Sequence, residues 1–191
     1  MKLVLGLVGA AAFAFAATFL IATELKPLLA THMSTSDTAA PPPPDPGMPV
    51  RVTIPAIGVD APLVPVGLKQ DGSMQTPKFG HAAWYKPGPR PGEPGPAVLV
   101  AHVDSKVDGP DVFQRLRDLA PGDKVTVYYP ATTKTFAVTG AEQAPKNALP
   151  VDRIWGSTTD PVLRLITCGG EFDHDAGSYL DNVIVYADRL V

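Results

Sequence analysis

From Val50 onward the sequence predicts a mainly β fold, and three observations predict it. The chain breaks into short apolar runs rich in Val, Ile, Thr, Tyr and Phe, bounded by Pro, Gly and Asp: RVTIPAIGVDAPLVPVGL, AVLVAH, KVTVYY, KTFAVTGAEQ, VLRLITC and NVIVYA. Only one segment has helical spacing, DVFQRLRDL, where Val112, Leu116 and Leu119 fall at i, i+4 and i+7 with Phe113 beside them, and PGD stops it. The chain also carries 22 prolines, and Pro55, Pro62 and Pro65 fall within or between the first runs. Prolines there favour edges, bulges and corners over long flat strands, as a small closed barrel requires. Periodicity alone leaves a sandwich open.

Length and charge narrow the function classes. With 191 residues, 45% of them hydrophobic, there is room for one domain with a proper core and hardly for two. Lys+Arg 16 against Asp+Glu 19 gives a net charge of -3, the pI is near 5.7, and no Lys/Arg block occurs, so a nucleic-acid partner is not expected. A single cysteine, Cys168, cannot form an intrachain disulfide, and stability has to come from packing.

The N-terminus is a different material. Residues 1–26 read as a membrane anchor or a signal peptide, because Leu3 to Thr23 is free of charge and a helix over it would span about 31 Å, the hydrocarbon thickness of a bilayer. The run continues apolar past Ala14-Phe15-Ala16 and similar steps, which favours an uncleaved single-pass anchor with the lipid bilayer as partner of residues 3–23. Residues 27–49 read as a flexible Pro/Ser/Thr-rich linker. Its segment Ser34 to Pro49, with polyproline character over Pro41 to Pro44, would reach at most about 50 Å, enough to lift a domain clear of the headgroups. Residues 50–191 form the remaining domain, expected on the outer side of the cell membrane.

Two strand ends deliver reactive groups. His102 closes the run from Ala97 and shares a face with Val98 and Val100; Cys168 closes a second run and shares a face with Val162, Arg164 and Ile166. If the strands are neighbours, imidazole and thiol face one pocket, and such a pair can attack a peptide carbonyl, form a thioester and pass a proton to the leaving amine. Arg164, in phase with Cys168, is the nearest cation for the oxyanion. Asn182 and the amides around Gly169 and Gly170 are further donors. Taken alone, a lone cysteine after an apolar run also fits a buried core residue. His81 is an alternative partner, and FDHDAGS (Phe172 to Ser178) offers oxygen and nitrogen atoms of a kind that bind metals, without the order of a calcium loop or a second histidine for zinc. No metal and no cofactor are expected. Trp84, Tyr85 and Trp155 are aromatic candidates for substrate contact.

TIPAIGVDAPLVPVG, DGSMQTP, HAAWYKPGPRPGEPGPAVLVAHVD, VFQRLRDLAPGD and LRLITCGGEFD together resemble a sortase, of the actinobacterial class F group, over about Pro49 to Val191. The resemblance implies a closed eight-stranded β-barrel outside the membrane, with one short helix, that cleaves an LPxTG-like C-terminal sorting signal between Thr and Gly. It then transfers the threonyl group to an amine of the peptidoglycan precursor. It implies Cys168 as nucleophile, His102 as acid/base and secreted proteins bearing the signal as partners. Ile166, Gly169 and Trp84, with Asn182, are candidates for substrate binding or for the oxyanion. The family's third catalytic residue is an arginine at the start of the last strand, where this chain has Asn182 and no arginine between it and Cys168. That departure makes Arg164 the expected cationic partner, with Asn182 as the neutral alternative. A cysteine peptidase hydrolysing the same signal, and a non-catalytic membrane-tethered peptide-binding β-domain, are the competing readings.

Overall fold

The computed structural model describes residues 45–105 and 107–191. The anchor expected over residues 1–26, and the linker as far as residue 44, lie outside the described residues. Among the described residues no helix is long and apolar enough to cross a membrane.

Eight strands close into a barrel: β1 (Arg51–Ile54), β2 (Val59–Val66), β3 (Ala82–Tyr85), β4 (Gly95–Val100), β7 (Lys124–Tyr128), β8 (Thr133–Pro145), β9 (Pro161–Asp173) and β10 (Ser178–Arg189), in the order β1-β2-β3-β4-β9-β10-β8-β7. A two-residue hairpin, β5 (Asp104–Ser105) with β6 (Gly109–Pro110), stands outside it. Closure settles the choice between barrel and sandwich, and the prolines help explain it. The first half of β2 pairs antiparallel with β1 up to Pro62, and its second half, from Leu63, pairs parallel with β3. The strand changes partner at a proline whose missing N–H takes nothing from a ladder.

Alternation decides which side chains fill the barrel. On β9, Leu163 and Leu165 are fully buried and meet Val52, Leu99, Val125 and Phe136 inside. Arg164, Ile166 and Cys168 point to the outer wall, as the two-residue period requires. The outer wall carries a second, smaller apolar cluster of Val98, Ala144, Ile154, Ile184 and Tyr186. Ile154 comes from α1 (Val151–Trp155), a five-residue helix in the β8–β9 connection.

Local structure departs from expectation in three places. The DVFQRLRDL segment is not an α-helix: it forms turns and a single 3₁₀ turn at Leu116–Asp118. Its buried residues explain this, because Phe113, Leu116 and Leu119 recur every three positions, the period of the tighter helix. The α-helix falls instead at α1, too short to show a period. Strand β3 was also not marked by its sequence, since AAWY is four residues long and followed by Lys-Pro-Gly.

Candidate active site

Strands β4 and β9 run parallel, with Val98 opposite Arg164 and Val100 opposite Ile166. Two residues further along, His102 lies just past the end of β4, and Cys168 lies within β9, five residues before its end. The side chain between them in the ladder, Thr167, is buried, and its Oγ1 donates to the Ala101 carbonyl at 2.8 Å. Imidazole and thiol line one cavity of about 380 Å³, together with Val103, Asp104, Ser105, Phe172, Gly177, Ser178 and Tyr179. The structure thus brings the two side chains that close the apolar runs, His102 and Cys168, to one cavity.

The His102 ring is held from two sides. Its Nε2 lies 3.0 Å from the Pro77 carbonyl; a carbonyl only accepts, so Nε2 carries the hydrogen and Nδ1 is the lone-pair nitrogen of the neutral ring. Phe79 stacks on the same ring, centroids 4.5 Å apart and planes within 9°. The 77–81 segment is pinned in turn, because the Gly80 N–H donates to Asp111 Oδ1 at 2.8 Å. His81 points elsewhere, with Nδ1 at the Phe79 carbonyl. Phe79 and Pro77 escaped the sequence reading because their contact with His102 crosses more than twenty residues.

Cys168 is half-buried and is the only cysteine. Asn182 stands directly opposite it on β10, and directly opposed residues of an antiparallel pair present their side chains on one face. Gly169 is buried, and a Cβ there would press on Val183 Cγ2 at 2.8 Å. Gly170 holds φ at +76°, and a side chain would collide with the Asp181 carboxylate, which accepts Gln143 Nε2 at 2.7 Å. The two glycines therefore let β9 bulge just past the thiol, where its register to β10 shifts. Ile166, on the Cys168 face, packs with Tyr85, Val100 and Leu149 against the outer apolar cluster, and Trp155, 38% exposed, meets the edge of Tyr85 at 5.3 Å. An apolar surface thus leads up to Cys168 from one side.

Two site expectations are corrected. Arg164 shares the outer face of Cys168, as parity requires, yet the structure does not bring its guanidinium to the thiol. Its Nε donates to the Arg153 carbonyl and Nη1 to the Leu163 carbonyl, each at 3.0 Å, and the group lies over the Tyr186 ring at 4.8 Å. It lines a separate cavity with Arg153, Gly156, Ser157 and Thr158. Burial lowers its pKa from the ordinary value. Four residues of strand, about 13 Å, separate it from Cys168. Trp84 is 3% exposed and belongs to the core inside the barrel, its Nε1 donating to the Pro89 carbonyl at 2.8 Å. Strand parity turns Trp84 inward and leaves Tyr85 to face the apolar surface.

The last strand also begins earlier than its apolar run suggested. β10 starts at Ser178, so its first residues are Ser178, Tyr179 and Leu180, with Leu180 48% exposed, and Arg189 is its last residue. Among the described residues, no arginine lines the Cys168 cavity. Tyr179 fills that end: its hydroxyl donates to Asp104 Oδ2 at 2.5 Å, and its ring meets the Phe172 ring edge-on at 5.1 Å. The hydrogen bond to Asp104, then burial and the charges of Asp104 and Cys168, push the phenol's pKa up. In the acidic β9–β10 turn, Asp173 Oδ1 accepts the N–H groups of Asp175 and Ala176, which makes that carboxylate a turn-forming group.

A closed barrel that brings a thiol on one strand and an imidazole just past the end of its neighbour to one cavity, beside an apolar surface, suits cysteine-dependent acyl transfer. The Sortase domain profile matches residues 52–190, and the chain belongs to the sortase family. Family and fold together support a cysteine transpeptidase. The fold is similar to sortase C-1 from Actinomyces oris (TM-score 0.60, 20% identity, 75% of each chain covered). It is also similar to a pilus-related sortase C of Group B Streptococcus (0.58, 17%, 75% of this chain and 68% of that one) and to sortase A from Corynebacterium diphtheriae (0.59, 17%, 75% and 61%). No curated protein sequence matches the chain.

Proposed function

We propose that this chain is a membrane-anchored sortase of the class F type, working on the outer surface of the cell. It cleaves an LPxTG-like C-terminal signal of secreted proteins between Thr and Gly and joins the threonyl carbonyl to an amine of the peptidoglycan precursor. The observation that carries this reading is the cavity shared by Cys168 and His102 at the end of an apolar surface. The Cys168 thiol gives its proton to His102 Nδ1 as Sγ attacks the threonyl carbonyl, and the C–N bond to glycine breaks as His102 passes that proton to the glycine nitrogen, leaving a thioester on Cys168. Attack by the amine then forms the new C–N bond and returns the thiol.

The apolar surface of Ile166, Tyr85, Val100 and Leu149 suits the Leu-Pro part of such a signal, where burial supplies binding without charge. The oxyanion takes its hydrogen bond from Asn182, which shares the Cys168 face, and from backbone amides at the Gly169-Gly170 bulge. Arg164 serves the wall beneath α1.

The test mixes the protein with an LPxTG-type peptide and several amines and follows masses. An adduct on Cys168 equal to the peptide cut after Thr, resolved by amine, is expected. Cys168→Ala should abolish it. A cut at any other bond, or an adduct that persists in Cys168→Ala, overturns the assignment.

A further inference from the structure

The far wall of the Cys168 cavity has no part in the acylation step described above, and its chemistry is distinct from the apolar side. It consists of Asp104, Ser105, Phe172, Ser178 and Tyr179. The one phenolic hydrogen of Tyr179 is committed to Asp104 Oδ2, so the phenolic oxygen offers only lone pairs to the cavity. Asp104 is exposed, and a carboxylate has about four acceptor positions, of which the phenol takes one. Such a wall has acceptors and negative charge to offer, which suits a cation and opposes an oxyanion.

Two further observations agree. The rings of Phe172 and Tyr179 stand edge to face at 5.1 Å and give an aromatic lining against which an ammonium is attracted. At the rim, an alkylammonium of this same chain is already held by the wall: Lys146 Nζ donates to Ser178 Oγ at 2.7 Å. Among the described residues neither lysine nor arginine lines the cavity itself, although the charge of Arg117 reaches Tyr179 from the 3₁₀ turn.

We propose that Asp104 and the phenolic oxygen of Tyr179 form the subsite of the second substrate, a primary alkylammonium with no carboxylate on the carbon that bears the nitrogen. The inference rests on the transpeptidase reading of the same cavity. A carboxylate on that carbon would be brought within a few ångströms of Asp104, and like charges at that range repel. In the step itself the bound ammonium loses one proton to His102, which is neutral after protonating the departed glycine. The amine attacks the thioester, the C–S bond breaks as the C–N bond forms, and the second proton leaves with the Cys168 sulfur as thiol.

The experiment uses the full-length chain and one acyl donor peptide, and reads the ratio of aminolysis to hydrolysis products, which depends on the fate of the acyl-enzyme and not on how fast it forms. With Nα-acetyl-lysine amide as acceptor, Asp104→Asn should lower that ratio about tenfold and Asp104→Glu should restore part of it, as expected for a charge-assisted contact. Tyr179→Phe should lower it about threefold, since one neutral acceptor is removed. Wild type should prefer Nα-acetyl-lysine amide over meso-diaminopimelate about tenfold, and Asp104→Asn should lose the preference. A ratio unchanged in Asp104→Asn, or equal use of the two amines by wild type, overturns the proposal while leaving the thioester chemistry intact. A second readout needs no acyl-enzyme: Nα-acetyl-lysine amide should slow iodoacetamide alkylation of Cys168 in wild type and not in Asp104→Asn. Absence of protection in wild type counts against the subsite even if no peptide acylates the protein.

Discussion

Replacing Thr167 by valine tests whether the site is held by the stitch between its two strands. The backbone ladder between β4 and β9 is fading at this level, since the Ala101 N–H reaches the Ile166 carbonyl at a long 3.4 Å. The Thr167 hydroxyl takes over, donating to the Ala101 carbonyl at 2.8 Å from a side chain only 4% exposed. Valine keeps the shape and removes the donor, so a buried carbonyl loses a partner, which costs about 1–3 kcal/mol. For a domain of this size each kcal/mol moves Tm by roughly 2–4 °C, so a fall of about 2–12 °C is expected in a calorimetric or fluorescence melt. Because the bond lies between the residues preceding His102 and Cys168, iodoacetamide alkylation of Cys168 should slow several-fold at neutral pH. A melt within about 1 °C of wild type with an unchanged alkylation rate would refute the claim that Thr167 fixes the pair.

Two other perturbations probe the scaffold. Arg164→Ala removes two hydrogen bonds to carbonyls and the contact over Tyr186, so its effect should appear as a loss of about 1–2 kcal/mol in denaturant unfolding. Alkylation of Cys168 should stay near wild type; a tenfold loss of peptide transfer at unchanged stability would instead return Arg164 to the catalytic step. Alkaline pH should destabilise the domain through its tyrosines. Burial raises the pKa of Tyr129, whose hydroxyl donates to the Pro91 carbonyl at 2.7 Å, and burial with the hydrogen bond to Glu142 pushes Tyr186 up to about 12. A raised folded pKa gives stability that is complete below the unfolded value near 10 and is lost as pH rises towards the folded one. Denaturant midpoints should therefore fall from about pH 10 upward, and less steeply in Tyr129→Phe; a flat profile to about pH 12 would contradict this.

Strand parity carried the sequence reading far. The alternation Leu163, Arg164, Leu165, Ile166 placed Cys168 on one face of β9, and the run ending at His102 did the same on β4, because the two-residue period depends only on the backbone. Parity fixes a face, however, and not the reach of a long side chain. Arg164 has the right face, but its carbonyl partners belong to Leu163 and to Arg153 of a five-residue helix that has no readable period. The Trp84 assignment failed for a related reason. Without recognising Ala82–Tyr85 as a strand, nothing told Trp84, inside the barrel, from Tyr85, on the wall.

The same limit explains why the acceptor side of the cavity was not legible. Asp104 and Tyr179 are 75 positions apart and meet only because β10 begins at Ser178, four residues before the apolar run that announces it. Those four residues, SYLD, have no hydrophobic alternation of their own, and pairing with β9 across a glycine bulge makes them strand. Their placement changes how the missing arginine is understood. The start of the last strand is not Asn182 but the segment holding Tyr179 and Leu180, so where the resemblance implies a guanidinium this chain has a phenol tied to a carboxylate and an exposed leucine. A cavity wall that carries Asp104 and, among the described residues, no cation is poorly suited to stabilise an oxyanion from that side and better suited to hold an ammonium. The oxyanion's donors then have to come from the β9–β10 wall, where Asn182 and the Gly169-Gly170 bulge lie. Acyl donor and amine would thus approach Cys168 from opposite walls, one apolar and one anionic.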